Sequence, residues 1–361
     1  MNPPRLRILM STDAVGGVWS YAIELCRALP QVDFLMANMG PFPTSDQRRE
    51  IRSLPNAELM EGSFLLEWEE HPWRDLERAG KWLLSLERGF RPDLIHLNGY
   101  VHAALPWSAP VLVVAHSCVL SWWRAVKGEP APAAWDAYAA AVRAGLHAAA
   151  RVVAPTREMG KSLIANYEMS APLVIPNGSC RRNAGARPVK DPVILCAARI
   201  WDEAKNVTCL ARAAEGLAWP VVLAGDARDV EIPWPNVQSV GRCSRDQMSA
   251  WYGRAGILAH PALYEPFGLA PLEGALAGCA LVLSDIPSLR EVWGDAAEFV
   301  DPTDPDAWRR TLARLTTDPV ERARLSRRAA ERAKDYPVAR MAHDYLELYQ
   351  LLTTPTLTAI P

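Results

Sequence analysis

Two carboxylates, Glu265 and Glu273, lie eight positions apart in the segment HPALYEPFGLAPLEGALAG, residues 260–278, on either side of a Glu-Pro-Phe-Gly turn. The turn leads from an apolar run into a helical stretch, so Glu265 falls in the loop and Glu273 in the first helical turn, after Pro271. At a helix start the backbone N–H groups of Phe267, Gly268 and Leu269 have no intrahelical partner and the peptide dipoles present positive charge. That is a cradle for an anion, phosphate above all. Carboxylates beside phosphate are unfavourable unless they bind hydroxyls, and a sugar nucleotide offers hydroxyls on both ribose and sugar. The plainer alternative is two solvated residues at a helix start.

Other residues fit the same chemistry. Arg199 follows the apolar run 193–197, and Lys205 with Asn206 opens the next helix, Asn206 reading as its N-cap. Two cations at the carboxyl end of a strand could neutralise a diphosphate and stabilise a departing nucleotide, or they could pair on the surface with Asp202 and Glu203. Gly16 and Gly17 follow the first strand-like run and would let backbone approach a ligand, though G-G is also an ordinary turn and is not G-x-G-x-x-G. His116 ends the run 111–115, either as a structural hydrogen-bonder or as a group at a reacting centre. His96 and His102 read as core or surface residues. Trp122 and Trp123 follow His116, as packing residues or as faces for a sugar ring or a lipid tail.

Positioning these groups requires an α/β chain. Short, nearly all-apolar runs at 6–10, 33–37, 93–97, 111–115, 151–154 and 173–175 alternate with helical stretches at 18–29 and 133–150, the pattern of a parallel sheet covered on both faces. The run 179–192 breaks the rhythm with Gly, Pro and charge and reads as a linker. A second series follows, with strands at 193–197, 221–224, 237–240, 256–260 and 280–284 and helices at 206–216 and 271–277. The expected domains are 1–180 and 190–336, with a helix at 338–352 in the 337–361 tail crossing back to the first. Two doubly wound sheets imply a cleft where the carboxyl ends of both strand sets meet.

Composition narrows the classes. A chain of 361 residues, 50% hydrophobic and 22% charged, has the make-up of two ordinary globular domains. The 39 Lys and Arg residues against 41 Asp and Glu give a net charge of −2, which does not point to nucleic acid. Peripheral membrane contact through Arg48, Arg49 and Arg52 is possible but not indicated. The seven cysteines form no C-x-x-C pair, so neither a disulfide framework nor a zinc site is expected. With no long apolar segment and no signal-peptide core at the N-terminus, a cytoplasmic protein is expected.

At Glu265–Glu273 the sequence resembles the retaining glycosyltransferases of family 4, whose architecture is GT-B, two facing Rossmann-like domains. The family's E-x7-E element is present, with Phe267 and Gly268 in their usual places. The resemblance implies that Glu265 contacts hydroxyls of the donor sugar, that Glu273 contacts the nucleotide ribose, and that the backbone from Gly268 to Ala270, adjoining Leu269, holds the diphosphate. It further implies that Arg199 and Lys205 assist the leaving group, that Gly16 and Gly17 form a glycine loop near the donor, and that His116 lies beside the donor sugar. One departure is that R-I-W-D-E-A-K is a residue longer than the commonest form, with Ala198 and Asn206 where flanking glycines are usual, which makes Arg199 the firmer assignment of the two cations.

The implied activity is metal-independent transfer, with retention, of a sugar from a nucleoside diphosphate, UDP or GDP first, to the hydroxyl of a glycan, lipid or small molecule, without a cofactor. A GT-B phosphorylase or epimerase, or a non-catalytic sugar-nucleotide-binding protein, are the alternatives. A nicotinamide-dependent dehydrogenase is disfavoured by the missing dinucleotide fingerprint.

Overall fold

Most of the apolar runs become strands because they are buried on both faces, and residues adjacent along such a strand feed opposite layers: Ile8 and Met10 enter one core and Leu9 the other. The computed structural model describes residues 5–180, 189–228 and 230–354. It divides into two units, 1–121 with 130–178 and 338–361, and 122–129 with 179–337.

The first unit's strands are β1 (Leu6–Asp13), β2 (Val32–Met39), β3 (Ala57–Glu61), β4 (Leu94–Leu97), β5 (Val111–Val114), β6 (Arg151–Ala154) and β7 (Leu173–Val174). They form one parallel sheet in the order β3-β2-β1-β4-β5-β6-β7. Its chain supplies α1 (Gly17–Ala28), α2 (Ser45–Arg52), α3 (Trp73–Phe90), α4 (Val119–Lys127), α5 (Asp136–Ala148) and α6 (Arg157–Tyr167), although α4 is shared, residues 122–127 grouping with the second unit.

The second unit carries β8 (Asp191–Ala197), β9 (Val221–Ala224), β10 (Val237–Gly241), β11 (Ala255–His260), β12 (Ala280–Ser284) and β13 (Glu298–Val300), parallel in the order β10-β9-β8-β11-β12-β13. Its helices are α7 (Val207–Ala213), α8 (Arg245–Arg254), α9 (Leu269–Leu276), α10 (Pro287–Trp293), α11 (Pro305–Thr317) and α12 (Pro319–Ala333). The last helix, α13 (Val338–Thr353), belongs to the first unit, where Met341, Ala342, Tyr345, Leu348 and Tyr349 are buried in the core that α1 also lines.

In each sheet the strand order reverses once, between β1 and β4 and between β8 and β11. Helices leave such a point on opposite faces of the sheet and open a crevice at the strands' carboxyl ends. Gly16 follows β1 and Asn98 follows β4; Arg199 follows β8 and Glu265 follows β11.

Several boundaries differ from the sequence reading. The helix expected from Pro271 begins two residues earlier, at Leu269, which moves Glu273 from the first turn to the second. Pro271 is tolerated inside that first turn because its missing N–H has no intrahelical acceptor to lose. The expected helix 206–216 is only 207–213, and a 3₁₀ turn at Ala133–Trp135 precedes α5. Of the expected linker, 181–188 lie outside the described residues, while Asp191 and Pro192 already belong to β8.

Candidate active site

The second unit's crevice is organised around Glu265. Its side chain is 15% exposed, and its Oε2 accepts from Lys205 Nζ at 2.9 Å and from His260 Nε2 at 3.0 Å. Its Oε1 accepts the Gly268 backbone N–H at 3.1 Å. Burial pushes this carboxyl's pKa up, but the Lys205 ammonium and the His260 hydrogen bond outweigh it and hold the group well below the usual carboxylate range. Lys205 is equally enclosed, at 13%. Ser288 Oγ donates to the Glu265 carbonyl at 2.6 Å and ties the loop to α10.

In this arrangement one donor of the anion cradle expected from sequence is already engaged. Of the three N–H groups, that of Gly268 is taken by Glu265 itself. Gly268 is the N-cap of α9 at φ 93, a left-handed conformation that a side chain rarely adopts, and a Cβ there would lie 3.2 Å from both Leu289 and Pro271. Phe267 is buried in the core, its ring edge-on to Tyr336. Leu269, Ala270 and Glu273 are half-buried on the first two turns of α9.

Arg199 sits in the loop after β8 and makes two bonds to one oxygen of Asp202, Nε at 3.2 Å and Nη2 at 2.6 Å, so the surface-pairing alternative names its partner correctly. Asp202 is buried and does more than neutralise a cation: its other oxygen caps the turn at Ala204 N, 3.0 Å, and accepts the Trp122 indole N–H at 3.4 Å. Burial raises its pKa, and Arg199 with Lys205 brings it below the ordinary value. Asn206 does occupy the N-cap position of α7, yet its side chain makes no cap. Its amide donates to Pro261 O at 3.0 Å and Pro302 O at 2.7 Å, joining the loops after β11 and β13.

In the first unit, Gly16 (φ 142) and Gly17 are exposed at the start of α1, after a turn closed by Val15 N donating to Asp13 Oδ1 at 2.8 Å. His116 is half-buried beyond β5, its Nε2 2.8 Å from Asn98 Oδ1 and its ring edge-on to Tyr21 at 4.6 Å. Burial lowers its pKa to about 4, so the imidazole is neutral at pH 7. His96 is fully buried between Tyr349, whose hydroxyl is 2.7 Å from Nδ1, and Tyr21, whose hydroxyl is 3.4 Å from Nε2. His102 is buried against the Leu76 carbonyl at 3.0 Å. Both are core residues. Sequence reasoning missed His260, Asp202 and Asn98 as site residues. His260 carried a signal, standing at the end of an all-apolar strand five residues before Glu265. Asp202 and Asn98 carried none, because each works through loop geometry. Among the described residues no group of three His, Cys, Asp or Glu is placed to hold a metal ion, and no helix is long and apolar enough to cross a membrane.

Two doubly wound parallel-sheet units, each with polar groups gathered where its strand order reverses, define the GT-B class of fold, and solved structures of that class superpose on the chain. A sucrose-phosphate synthase from Thermosynechococcus elongatus matches with a TM-score of 0.80 at 18% identity, over 96% of this chain and 99% of that one. Anabaena HepE in complex with UDP and glucose matches with a TM-score of 0.75 at 14% identity, over 96% and 100%. The chain belongs to the family of glycosyl transferases group 1, whose model matches residues 181–332, with the glycosyltransferase family 4 model matching residues 15–179. A D-inositol 3-phosphate glycosyltransferase from Thermobispora bispora is 27% identical over 93% of this chain and 91% of its own length. One from Salinispora tropica is 31% identical over 49% of this chain, a match that spans only 36% of that relative.

Proposed function

We propose that the protein transfers a sugar, with retention of configuration and without a metal ion, from a nucleoside-diphosphate sugar to an acceptor hydroxyl. The observation that carries the reading is the buried Lys205–Glu265–His260 cluster at the amino end of α9. Donor counting shows how it can hold a diphosphate while intact. An ammonium has three donors, of which Glu265 takes one; a guanidinium has five, of which Asp202 takes two. Lys205 and Arg199 therefore keep donors for phosphate oxygens, where they would stabilise charge on the departing nucleotide. Glu265 has about four lone-pair sites and uses three, leaving one on Oε1 for a sugar hydroxyl. Glu273 is assigned to the ribose hydroxyls, the backbone N–H groups of Leu269 and Ala270 beside the left-handed Gly268 to the diphosphate, Gly16 and Gly17 to close backbone approach, and His116 to a hydroxyl of the donor sugar. The mechanism that needs no carboxylate base is same-face substitution, in which the leaving diphosphate takes the acceptor proton.

HepE is named in complex with UDP and glucose, which makes UDP-glucose the first donor to test, ahead of GDP-mannose. The relatives' name makes inositol 3-phosphate the first acceptor. The test is thermal unfolding against millimolar uridine, guanosine, adenosine, thymidine and cytidine diphosphates. A ligand that binds only the native state raises the apparent melting temperature. A rise with one base, followed by sugar transfer whose product keeps the donor's anomeric configuration, supports the proposal. No rise with any, or an inverted product, rejects it.

A further inference from the structure

The Asn98 side chain has only one orientation that satisfies its surroundings. Its Nδ2 lies 2.7 Å from the Ser11 carbonyl, which can only accept, so the amide nitrogen must face Ser11 and the oxygen must face His116. Its own backbone N–H donates to Ser11 Oγ at 2.9 Å, which fixes the turn that carries it. With an acceptor 2.8 Å from His116 Nε2, that nitrogen must carry the proton. The Nδ1 atom then holds a lone pair and has no partner among the described residues.

We propose that Asn98 is a positioning residue that locks His116 as the Nε2–H tautomer, leaving Nδ1 as a hydrogen-bond acceptor for a hydroxyl of the sugar substrate. The proposal deepens the glycosyltransferase reading of His116 and rests on it. Among the described residues, the titratable groups facing the imidazole are Tyr21 from α1 and His96 from β4. Burial raises the Tyr21 phenol well above its ordinary pKa and lowers His96 to about 3, so neither places a charge beside His116 at neutral pH. Asn98 alone therefore chooses which nitrogen is protonated. With an acceptor at Nε2 and an open lone pair at Nδ1, the ring accepts a hydroxyl proton and cannot act as a strong acid.

Imidazole ¹⁵N spectra of the full chain, labelled at histidine and assigned with His116→Ala, read this directly. The wild type is expected to show one neutral Nε2–H tautomer from pH 8 down to pH 5. Asn98→Leu, which keeps bulk and removes the acceptor, is expected to give a mixture of tautomers. Asn98→Asp keeps the shape and is the second variant should leucine prevent folding; its carboxylate is expected to move the His116 titration up toward neutrality. A proton on Nδ1 in the wild type overturns the proposal, as does a His116 spectrum and titration unchanged in the variants. Turnover separates positioning from scaffolding. With UDP-glucose and GDP-mannose as probes, Asn98→Leu is expected to slow nucleotide release about tenfold or more, and to add nothing in a His116→Ala background. Equal losses in both backgrounds overturn the proposal. Wild-type turnover by His116→Ala instead overturns the assignment of His116 itself, and the spectra still decide the tautomer.

Discussion

Replacing Lys205 by methionine removes the ammonium from Glu265 while keeping the length of the side chain. Because the two side chains are only 13% and 15% exposed, the carboxylate left behind cannot recover full hydration. Removing one partner of a buried pair costs about 3–5 kcal/mol. His260 and the Gly268 N–H remain on Glu265, which places this case at the low end, about 3 kcal/mol. Glu265→Gln should cost a similar amount by stranding the ammonium. The double variant carries no charge at this pair, so its loss should fall short of the summed single losses by about 2 kcal/mol or more, the coupling that a double-mutant cycle isolates.

The assay is equilibrium urea unfolding, where about 3 kcal/mol moves the midpoint by roughly 1 M for a slope near 3 kcal/mol/M. The pH dependence follows from Glu265 having a folded pKa below its unfolded value. The stabilisation is complete above about pH 4.3, the unfolded value, and is lost as pH falls through the folded pKa. The gap between wild type and Lys205→Met should therefore hold from pH 7 to pH 5 and narrow toward pH 3. Single losses that add to within about 0.5 kcal/mol, or a gap that stays constant into acid, would refute the argument that this pair is buried and charged.

Three further outcomes are expected. Arg199→Ala should reduce turnover by about 10²–10³-fold and cost about 1–3 kcal/mol of stability, since it removes both hydrogen bonds from one oxygen of a carboxylate that is itself buried; steady-state turnover within threefold of wild type would remove Arg199 from catalysis. Gly225 has φ 153, and a Cβ there would fall 1.8 Å from the Ala198 carbonyl oxygen, so Gly225→Ala must displace the backbone that carries Arg199. A loss of nucleotide-diphosphate binding by calorimetry is expected, and unchanged binding would show that the loop yields freely. Burial raises the Glu67 carboxyl to about 7 against the pull of the Val101 and Tyr100 N–H groups it accepts. The native state thus holds this proton longer than the unfolded chain does, and wild-type stability declines between about pH 4.5 and 7. Glu67→Gln should remove that decline, gaining about 1–3 kcal/mol relative to wild type across the window; parallel stability curves would contradict it.

Most of the sheet was readable because a parallel strand buried on both faces leaves an unbroken apolar run, as at residues 111–114 or 280–284. Strands β3 and β13 escaped because AELME and EFV at the sheet edges lack that run. The start of α9 was displaced because Pro271 is a stronger textual signal than the left-handed Gly268 that actually opens the helix. Glu265 and Lys205 were each singled out from their own segments, but their contact with one another and with His260 was not legible. A lysine sixty positions earlier and a histidine five positions earlier converge on one oxygen only because β8 and β11 are neighbours in the sheet. The same holds for Asn98 and His116, whose strands β4 and β5 are adjacent. Spacing within one loop can be read from a string of residues, whereas spacing between strands requires the sheet order.

The return of α13 to the first unit has a consequence for biosynthesis. Met341, Tyr345 and Tyr349 lie in the same core as Ile8, Tyr21 and Leu25, so a ribosome releases the amino-terminal residues of that core long before their last partners exist. At about 5–20 residues per second the wait for the intervening unit is roughly 10–30 s. Throughout it, the face of α1 that will carry Tyr345 and Tyr349 stays open to solvent or to a chaperone. The second unit, whose last residue is Pro337, is complete before α13 emerges. A message truncated before Val338 would yield a chain whose second unit is whole and whose first remains unsealed, a substrate for proteolysis.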